Sequence, residues 1–198
     1  MIGWECLSWS RKHNGDGRAE TDHGRRVPEN APTPDGSKQE LVRGEVITTP
    51  PPAFRHGLRQ GRAYRILDDY VTPRRLGRVT VESGLVTERG PDTVRGPDVA
   101  YWSAERLPLD REPEGYPDVA ADLCVEVLSP SDRPGKVREK VREYFVRGVR
   151  MVWLIDPEDR NVWVYRAPEE ARVLHEGATL SSEDVLPGFS CQVTDLFA

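Results

Sequence analysis

Two carboxylates and a lysine, spaced along two apolar runs and a helical segment, form the most informative chemical pattern in this chain. Asp98 opens the apolar run 97–102, Glu126 lies inside the run 122–128, and Lys140 follows in the helical segment. Burying an unpaired carboxylate is costly, so an acid inside a strand normally has a cation, a hydrogen-bond donor or a metal beside it. The pattern therefore predicts a metal site or an ionic site.

The geometry of neighbouring strands favours a shared metal ion. If the two runs pair, side chains on one face stand about 5 Å apart when opposite and about 7–8 Å apart on the diagonal. Either spacing lets Asp98 and Glu126 share Mg²⁺, or Mn²⁺ as a substitute, with water and phosphate as the other ligands. Such a metal lowers the pKa of a bound water and screens charge on a scissile phosphate, and Lys140 would add a further positive charge. This chemistry is phosphodiester hydrolysis.

Alternation along the second run assigns its side chains to faces. Asp122, Cys124 and Glu126 share one face, and the aliphatic residues between them share the other. We expect helices to cover the aliphatic face and the acidic face to open to a cleft.

Composition excludes several classes of protein. The chain has 198 residues, which suits one domain, and a formal net charge of −5, which argues against binding nucleic acid by bulk charge but permits a local basic face. No apolar run approaches the roughly 20 residues that span a bilayer, and the N-terminus lacks signal-peptide features. We expect a soluble, cytoplasmic protein with no membrane contact. Without a glycine-rich phosphate loop, no nucleotide cofactor is expected.

The three cysteines, Cys6, Cys124 and Cys191, have neither an even count nor metal-ligand spacing. A disulfide framework or a zinc site is therefore not expected.

The order of the predicted elements indicates the fold class. Residues 1–38 are polar and interrupted by Gly and Pro, which predicts a disordered leader before a domain over 39–198. The domain should contain a hairpin over 40–47 that turns at Arg43-Gly44, a helix over 56–70, strands over 76–86, 97–102 and 122–128, a helix over 134–147 that stops at Gly148, strands over 151–155 and 161–165, and a closing strand and turn. This order predicts an α/β (α+β) domain with a mixed central β-sheet flanked by helices.

Several of these segments together resemble the Uma2 family (DUF820) of restriction-endonuclease-like proteins. The segments are Gly44-Glu45, the prolines 50–52 followed by His56-Gly57, Pro97-Asp98-Val99, residues 125–131, Lys140 with Tyr144, Gly148-Val149 followed by 153–157, and residues 186–189. Jointly these segments are specific, although each one alone is weak.

The resemblance implies the restriction-endonuclease-like fold of the PD-(D/E)XK nuclease superfamily and Mg²⁺-dependent action on DNA. It makes Asp98 and Glu126 the metal ligands, with Glu45 completing the metal shell and His56 positioning water or phosphate. The lysine that the superfamily places two residues after the second acid is Leu128 here. Lys140, from the next helix, would take its catalytic role.

Each of these residues also has a structural interpretation. Asp98 could cap the turn after Pro97, Glu126 could pair with an arginine such as Arg95 or Arg142, and Lys140 could be a solvated helix residue. His56 and Glu45 could be ordinary surface residues. Trp102, Trp153 and Trp163 lie in apolar strands, which favours packing over base stacking.

The sequence thus predicts a Mg²⁺-dependent endonuclease acting on DNA. A homodimer is expected, because two symmetric sites cut both strands most directly. The alternative is a non-catalytic module that keeps the fold to bind nucleic acid or a protein. An RNA-directed nuclease with the same chemistry also stays open. Metal binding by the two acids discriminates an enzyme from a module.

Overall fold

The computed structural model describes residues 36–198, which form twelve strands, two α-helices and a C-terminal 3-10 helix. The strands are β1 (Lys38–Val42), β2 (Glu45–Thr49), β3 (Gly77–Val81), β4 (Leu85–Glu88), β5 (Thr93–Arg95), β6 (Val99–Ser103), β7 (Leu123–Val127), β8 (Met151–Asp156), β9 (Asn161–Ala167), β10 (Glu170–His175), β11 (Thr179–Ser181) and β12 (Ser190–Gln192). The helices are α1 (Phe54–Val71), α2 (Pro134–Arg147) and the 3-10 helix (Val193–Leu196). The predicted leader, 1–38, lies almost entirely outside the described residues, but its last residue, Lys38, begins β1.

A six-stranded sheet in the order β10-β9-β8-β7-β6-β3 forms the centre of the domain. Strands β7 and β8 run parallel, because α2 carries the chain back across the sheet between them, and the neighbouring pairs are antiparallel. The predicted mixed central sheet flanked by helices is confirmed.

The two helices cover opposite faces of this sheet. Helix α1 packs through Ala63, Leu67 and Val71 on the aliphatic face of β7, and the C-terminal segment joins the same core. Helix α2 packs through Val141 and Tyr144 on the other face.

The prediction of an open cleft on the acidic face is therefore wrong. That face also carries Ala100, Trp102, Cys124 and Val152, which are buried under α2. These apolar residues need a cover, and one acid at the end of a strand does not make the whole face polar.

A smaller four-stranded sheet, in the order β2-β1-β5-β4, packs beside the first. The region 76–86, predicted as strand, divides at Ser83-Gly84 into two strands that enter different sheets: β3 joins the six-stranded sheet and β4 joins this one. Gly84 is needed at the crossing, since a Cβ there would stand 2.2 Å from the ring of Tyr116.

Local turn chemistry behaves as the sequence predicts. The β1–β2 hairpin turns at Arg43 and Gly44, whose φ angles are +50° and +82°, as a two-residue hairpin loop requires.

Of the three tryptophans, Trp102 and Trp153 are fully buried, whereas Trp163 is 37% exposed. Cys124 and Cys191 are free thiols, and Cys6 lies outside the described residues. Within residues 36–198, no helix is long and apolar enough to cross a membrane.

Helix α2 has the predicted bounds and ends at Gly148, whose φ is +103°. The Gly148 and Val149 amides donate to the carbonyls of Phe145 and Tyr144 at 3.0 Å, which satisfies the last turn. This end fixes the register of the helix that carries Lys140 and Tyr144.

Two Gly→Ala substitutions in and after α2 should have opposite effects. Gly148→Ala should lower the free energy of unfolding by about 1–2 kcal/mol, because a Cβ is disfavoured at positive φ. Gly135→Ala, inside the helix where a Cβ meets nothing within 4 Å, should raise it by up to about 1 kcal/mol. Urea denaturation measures both, and a destabilised Gly135→Ala would contradict this description of the helix.

Candidate active site

Asp98 lies immediately before β6, where one hydrogen bond ties it to the end of β7. Its Oδ2 accepts the Val127 amide at 2.7 Å. Because Val99 pairs with Val125 in antiparallel register, the next position along places Asp98 opposite Glu126. The sequence-predicted acids are therefore neighbours at one end of the sheet, as strand pairing requires.

The Lys38 ammonium and the His56 imidazole both contact Asp98, which is only 3% exposed. Lys38 Nζ, from β1, lies 3.1 Å from Oδ1, and His56 Nε2, from the first turn of α1, lies 3.2 Å from Oδ2. Burial alone would raise the pKa of Asp98, but the His56 hydrogen bond and the Lys38 charge outweigh it and hold this pKa well below its usual value. The hydrogen bond to Asp98 in turn raises the pKa of His56 above 6.5. Asp98 is thus a buried, fully ionised carboxylate.

Glu126 receives its partners from α2. Lys140 Nζ lies 2.9 Å from the carboxylate, and the Tyr144 hydroxyl donates to Oε1 at 2.5 Å. Burial raises the pKa of Glu126, and the nearby charges of Asp98 and Glu40 raise it further against the attraction of Lys140. Arg95 and Arg142, the alternative partners, pair with other acids.

A third acid, Glu40 of β1, completes the surroundings of Lys140. Its Oε1 lies 3.0 Å from Lys140 Nζ and accepts the Gly96 amide at 2.9 Å, and its Oε2 lies 3.0 Å from Arg95. Burial would raise the pKa of Glu40, but Lys140, the Gly96 amide and Arg95 lower it to about 2. Lys140 is correspondingly held between Glu126 and Glu40, and despite its burial its pKa lies well above the usual value.

Sequence reasoning missed both Lys38 and Glu40. The two residues are spaced two apart in β1, which puts both side chains on one face, but the predicted hairpin began at 40 and left Lys38 in the leader. Gln60 was also missed. It donates to the Asp98 carbonyl at 3.0 Å and to Glu82 at 3.1 Å, and so fixes α1 against the start of β6 one turn after His56.

Glu45 is the one predicted site residue that the structure does not bring to the cluster. It begins β2 opposite Val42, at the turn end of the hairpin, and its side chain is exposed. Val42 lies two residues beyond Glu40, about 7 Å along the strand. Glu45 therefore lies at the exposed turn of the hairpin, and Glu40, beside Lys140, takes the third acidic position.

The donor set fits a hard divalent cation bound with few protein ligands. Among the described residues, no group of three or more His, Cys, Asp and Glu side chains is placed to hold a metal ion. Mg²⁺ nevertheless commonly uses one or two carboxylates and fills its other positions with water and phosphate. Asp98 and Glu126 supply such a pair, and burial, with the charge of Asp98 added, raises the pKa of Glu126.

Comparison with known proteins identifies the family of this chain. The family model for Uma2, described as "putative restriction endonuclease", matches residues 22–194. The chain belongs to the Uma2 family. A solved structure, described as a putative nuclease belonging to DUF820 from Anabaena variabilis, superimposes with a TM-score of 0.70 at 28% identity. That match covers 86% of this chain and 93% of the other. A search of the curated proteins found no match.

The family match confirms the resemblance to Uma2 that the sequence showed, and the solved structure confirms the predicted nuclease-like fold. The family description and the neighbour's title both indicate a nuclease.

The charge on Glu40 should stabilise the fold at neutral pH. Because its pKa of about 2 lies below the unfolded value of 4.5, its contribution is full above pH 4.5 and is lost as the pH falls toward 2. Glu40→Gln should therefore lower the free energy of unfolding by about 2–3 kcal/mol at pH 7, and this difference should narrow toward pH 3.

Denaturant unfolding at several pH values measures this difference. The control is Glu139→Gln on α2, whose partners Arg43 and Lys136 are mostly exposed and whose loss should cost no more than about 1 kcal/mol. A Glu40→Gln difference that stays constant from pH 7 to pH 3 would contradict the ionic account of Glu40.

Proposed function

We propose that this Uma2 protein is a Mg²⁺-dependent endonuclease that hydrolyses phosphodiester bonds in DNA. The observation that supports it most is the pair of neighbouring carboxylates, Asp98 and Glu126, with the ammonium of Lys140 2.9 Å from Glu126. Buried acids that repel each other are costly for folding, and a metal-binding function gives a reason for their presence.

Each side chain of the cluster has a role in this proposal. Asp98 and Glu126 would hold the cation, which, when bound, lowers the pKa of a water and screens charge on the phosphate. The Tyr144 hydroxyl fixes the orientation of the Glu126 carboxylate. His56 holds Asp98 in place and presents a proton at Nε2. Lys38 is the residue that would have to release Asp98 when a cation binds.

Lys140 acts as a fixed positive charge in this proposal. Its ammonium lies 2.9 Å from Glu126 and 3.0 Å from Glu40, and these carboxylates favour its charged form, so in this proposal it does not serve as the base for the attacking water. Its charge lies beside Glu126 and can stabilise the negative charge that builds on the phosphate. Glu40 positions the ammonium from the other side without contacting the reacting atoms.

Further parts of the proposal concern assembly and location. Cleavage of both strands of a duplex is most direct with two symmetric sites, so we propose that the enzyme acts as a homodimer. We also propose that it works in the cytoplasm, where Mg²⁺ and DNA are available together.

One observation favours a non-catalytic alternative. Every carboxylate of the cluster already has a positive group of the protein beside it: Lys38 and His56 at Asp98, and Lys140 at Glu126 and Glu40. A module that only binds nucleic acid or a protein could keep these pairs as structural links. It would have no need to exchange any of them for a metal ion.

Cleavage assays test the proposed function. Purified protein should cut plasmid DNA in the presence of Mg²⁺ or Mn²⁺ and should not cut it in EDTA. Single-stranded DNA and RNA serve as further substrates. Asp98→Asn and Glu126→Gln should lower the rate by about a thousandfold or more, because losing the metal removes several kcal/mol of stabilisation. Lys140→Met should lower it by about a hundredfold to a thousandfold.

The matched control for Lys140→Met is Lys136→Met. Lys136 lies one turn earlier on α2, is exposed and pairs with Glu139. Glu45→Gln is the control for the acids. Both controls should keep the wild-type rate. Cleavage that persists in Asp98→Asn, or that Lys136→Met reduces as much as Lys140→Met does, would overturn this assignment.

A further inference from the structure

Four arginines form a basic strip at the end of the domain that holds the acids. Arg55, Arg59 and Arg62 lie within about 60° of one another around α1, next to the stripe that carries His56 and Gln60. Arg160 joins them from the turn between β8 and β9. We call these four residues the arginine strip.

Packing holds two members of the strip together. The guanidinium groups of Arg59 and Arg160 lie over the same ring, that of Phe197, at 5.7 and 5.2 Å from its centre. Arg160 also pairs with Glu176, and Arg59 donates to the Ala198 carbonyl at 3.4 Å. Two like charges held against one ring repel each other, so the strip is preorganised at an electrostatic cost.

The three arginines of α1 carry the unpaired positive charge of the strip. In the part of the chain that the structure describes, Arg55, Arg59 and Arg62 form no ion pair, whereas Arg160 pairs with Glu176 and follows the acidic turn 156–159. Among the described residues, the buried Nε atoms of Arg59 and Arg62 have no hydrogen-bond partner. Burial lowers the pKa of Arg59, and Arg160, Arg62 and Arg55 lower it further. These arginines lie close together in a chain whose formal net charge is −5. The local basic face that the overall charge permitted is therefore present.

The two elements that carry the arginine strip, α1 and the β8–β9 turn, are adjacent to Asp98 and Glu126. On α1, His56 contacts Asp98, Arg55 is its neighbour, and Arg59 follows about 4.5 Å further along the helix axis. The β8–β9 turn continues the strand whose Ile155 carbonyl accepts the Leu128 amide at 2.8 Å, just after Glu126. The strip thus begins where the carboxylates lie and leads away from them along α1.

We propose that the arginine strip binds the phosphodiester backbone of the nucleic-acid substrate beside the scissile position. The choice of nucleic acid as the ligand rests on the proposed nuclease function. A row of fixed guanidinium groups suits a polymer with regularly spaced negative charges, and arginine forms bidentate hydrogen bonds with phosphate oxygens. Contacts of this kind position a substrate without reading its sequence.

Salt-dependent binding tests the strip without requiring catalysis. Fluorescently labelled duplex DNA, single-stranded DNA and RNA of about 30 nucleotides are titrated in EDTA, at salt concentrations from about 50 to 200 mM. Wild type is compared with Arg55→Gln/Arg59→Gln/Arg62→Gln. The matched control, Arg89→Gln/Arg142→Gln/Arg172→Gln, removes the same charge from positions outside α1.

The strip variant should bind the preferred nucleic acid at least about tenfold more weakly, and its salt slope should fall by about 2–3, since each lost phosphate contact removes about 0.9. The control variant should match wild type. Thermal unfolding verifies that each variant is folded. If the triple variant is not, Arg55→Gln alone, at an exposed position, should still lower the slope by about 1.

Three results would overturn the strip: no binding by wild type, equal binding by the strip variant and wild type, or equal losses in the strip and control variants. Failure of the strip can be told apart from failure of the proposed function. Cleavage by wild type with unchanged binding by the strip variant rejects only the strip. Strip-dependent binding without cleavage of any substrate rejects only the nuclease.

Discussion

The burial of two neighbouring carboxylates at the end of one sheet is the constraint on which the rest of this structure depends. Asp98 and Glu126 face each other across β6 and β7, and an uncompensated buried charge would destabilise the domain by several kcal/mol. The compensating cations come from three separate elements: Lys38 from β1, His56 from α1 and Lys140 from α2. Neutralising the acids therefore fixes the hairpin and both helices against the sheet.

The ionic network continues beyond the acids and joins the two sheets. Glu40 lies between Lys140 and Arg95, and Arg95 forms a two-bond pair with Glu143 of α2 at 2.6 and 3.0 Å. Buried ion pairs of this kind rarely stabilise a fold more than apolar packing would. The concentration of ion pairs around Asp98 and Glu126 therefore fits the proposed catalytic role better than a role in stability alone.

Local signals in the sequence were sufficient for the helices, the hairpin and the main acids. Proline in the first turn and glycine at the end gave α2 its bounds, and an acid in each of two apolar runs marked Asp98 and Glu126. Lys38 and Glu40 were not predicted as site residues, because β1 is placed by pairing with residues far away in the chain, such as Leu41 with Val94. The same long-range pairing separates β3 from β4, and neither local spacing nor residue type contains that information.

The cover on the acidic face shows where a correct local pattern led to a wrong expectation. Alternation assigned Glu126 to the right face, yet α2 packs on that face because its neighbours are apolar. As a result, a lysine on the covering helix contacts the acid: Lys140 Nζ lies 2.9 Å from the Glu126 carboxylate.

Calorimetric titration with Mn²⁺ shows whether Asp98 and Glu126 are metal ligands, as we propose. Wild type should bind about one ion per chain, folded Asp98→Ala and Glu126→Ala variants should bind none, and Glu45→Ala should bind as wild type does. If wild type binds no ion, or if the acid variants bind as well as wild type does, the two acids are not metal ligands and a non-catalytic module is the better description.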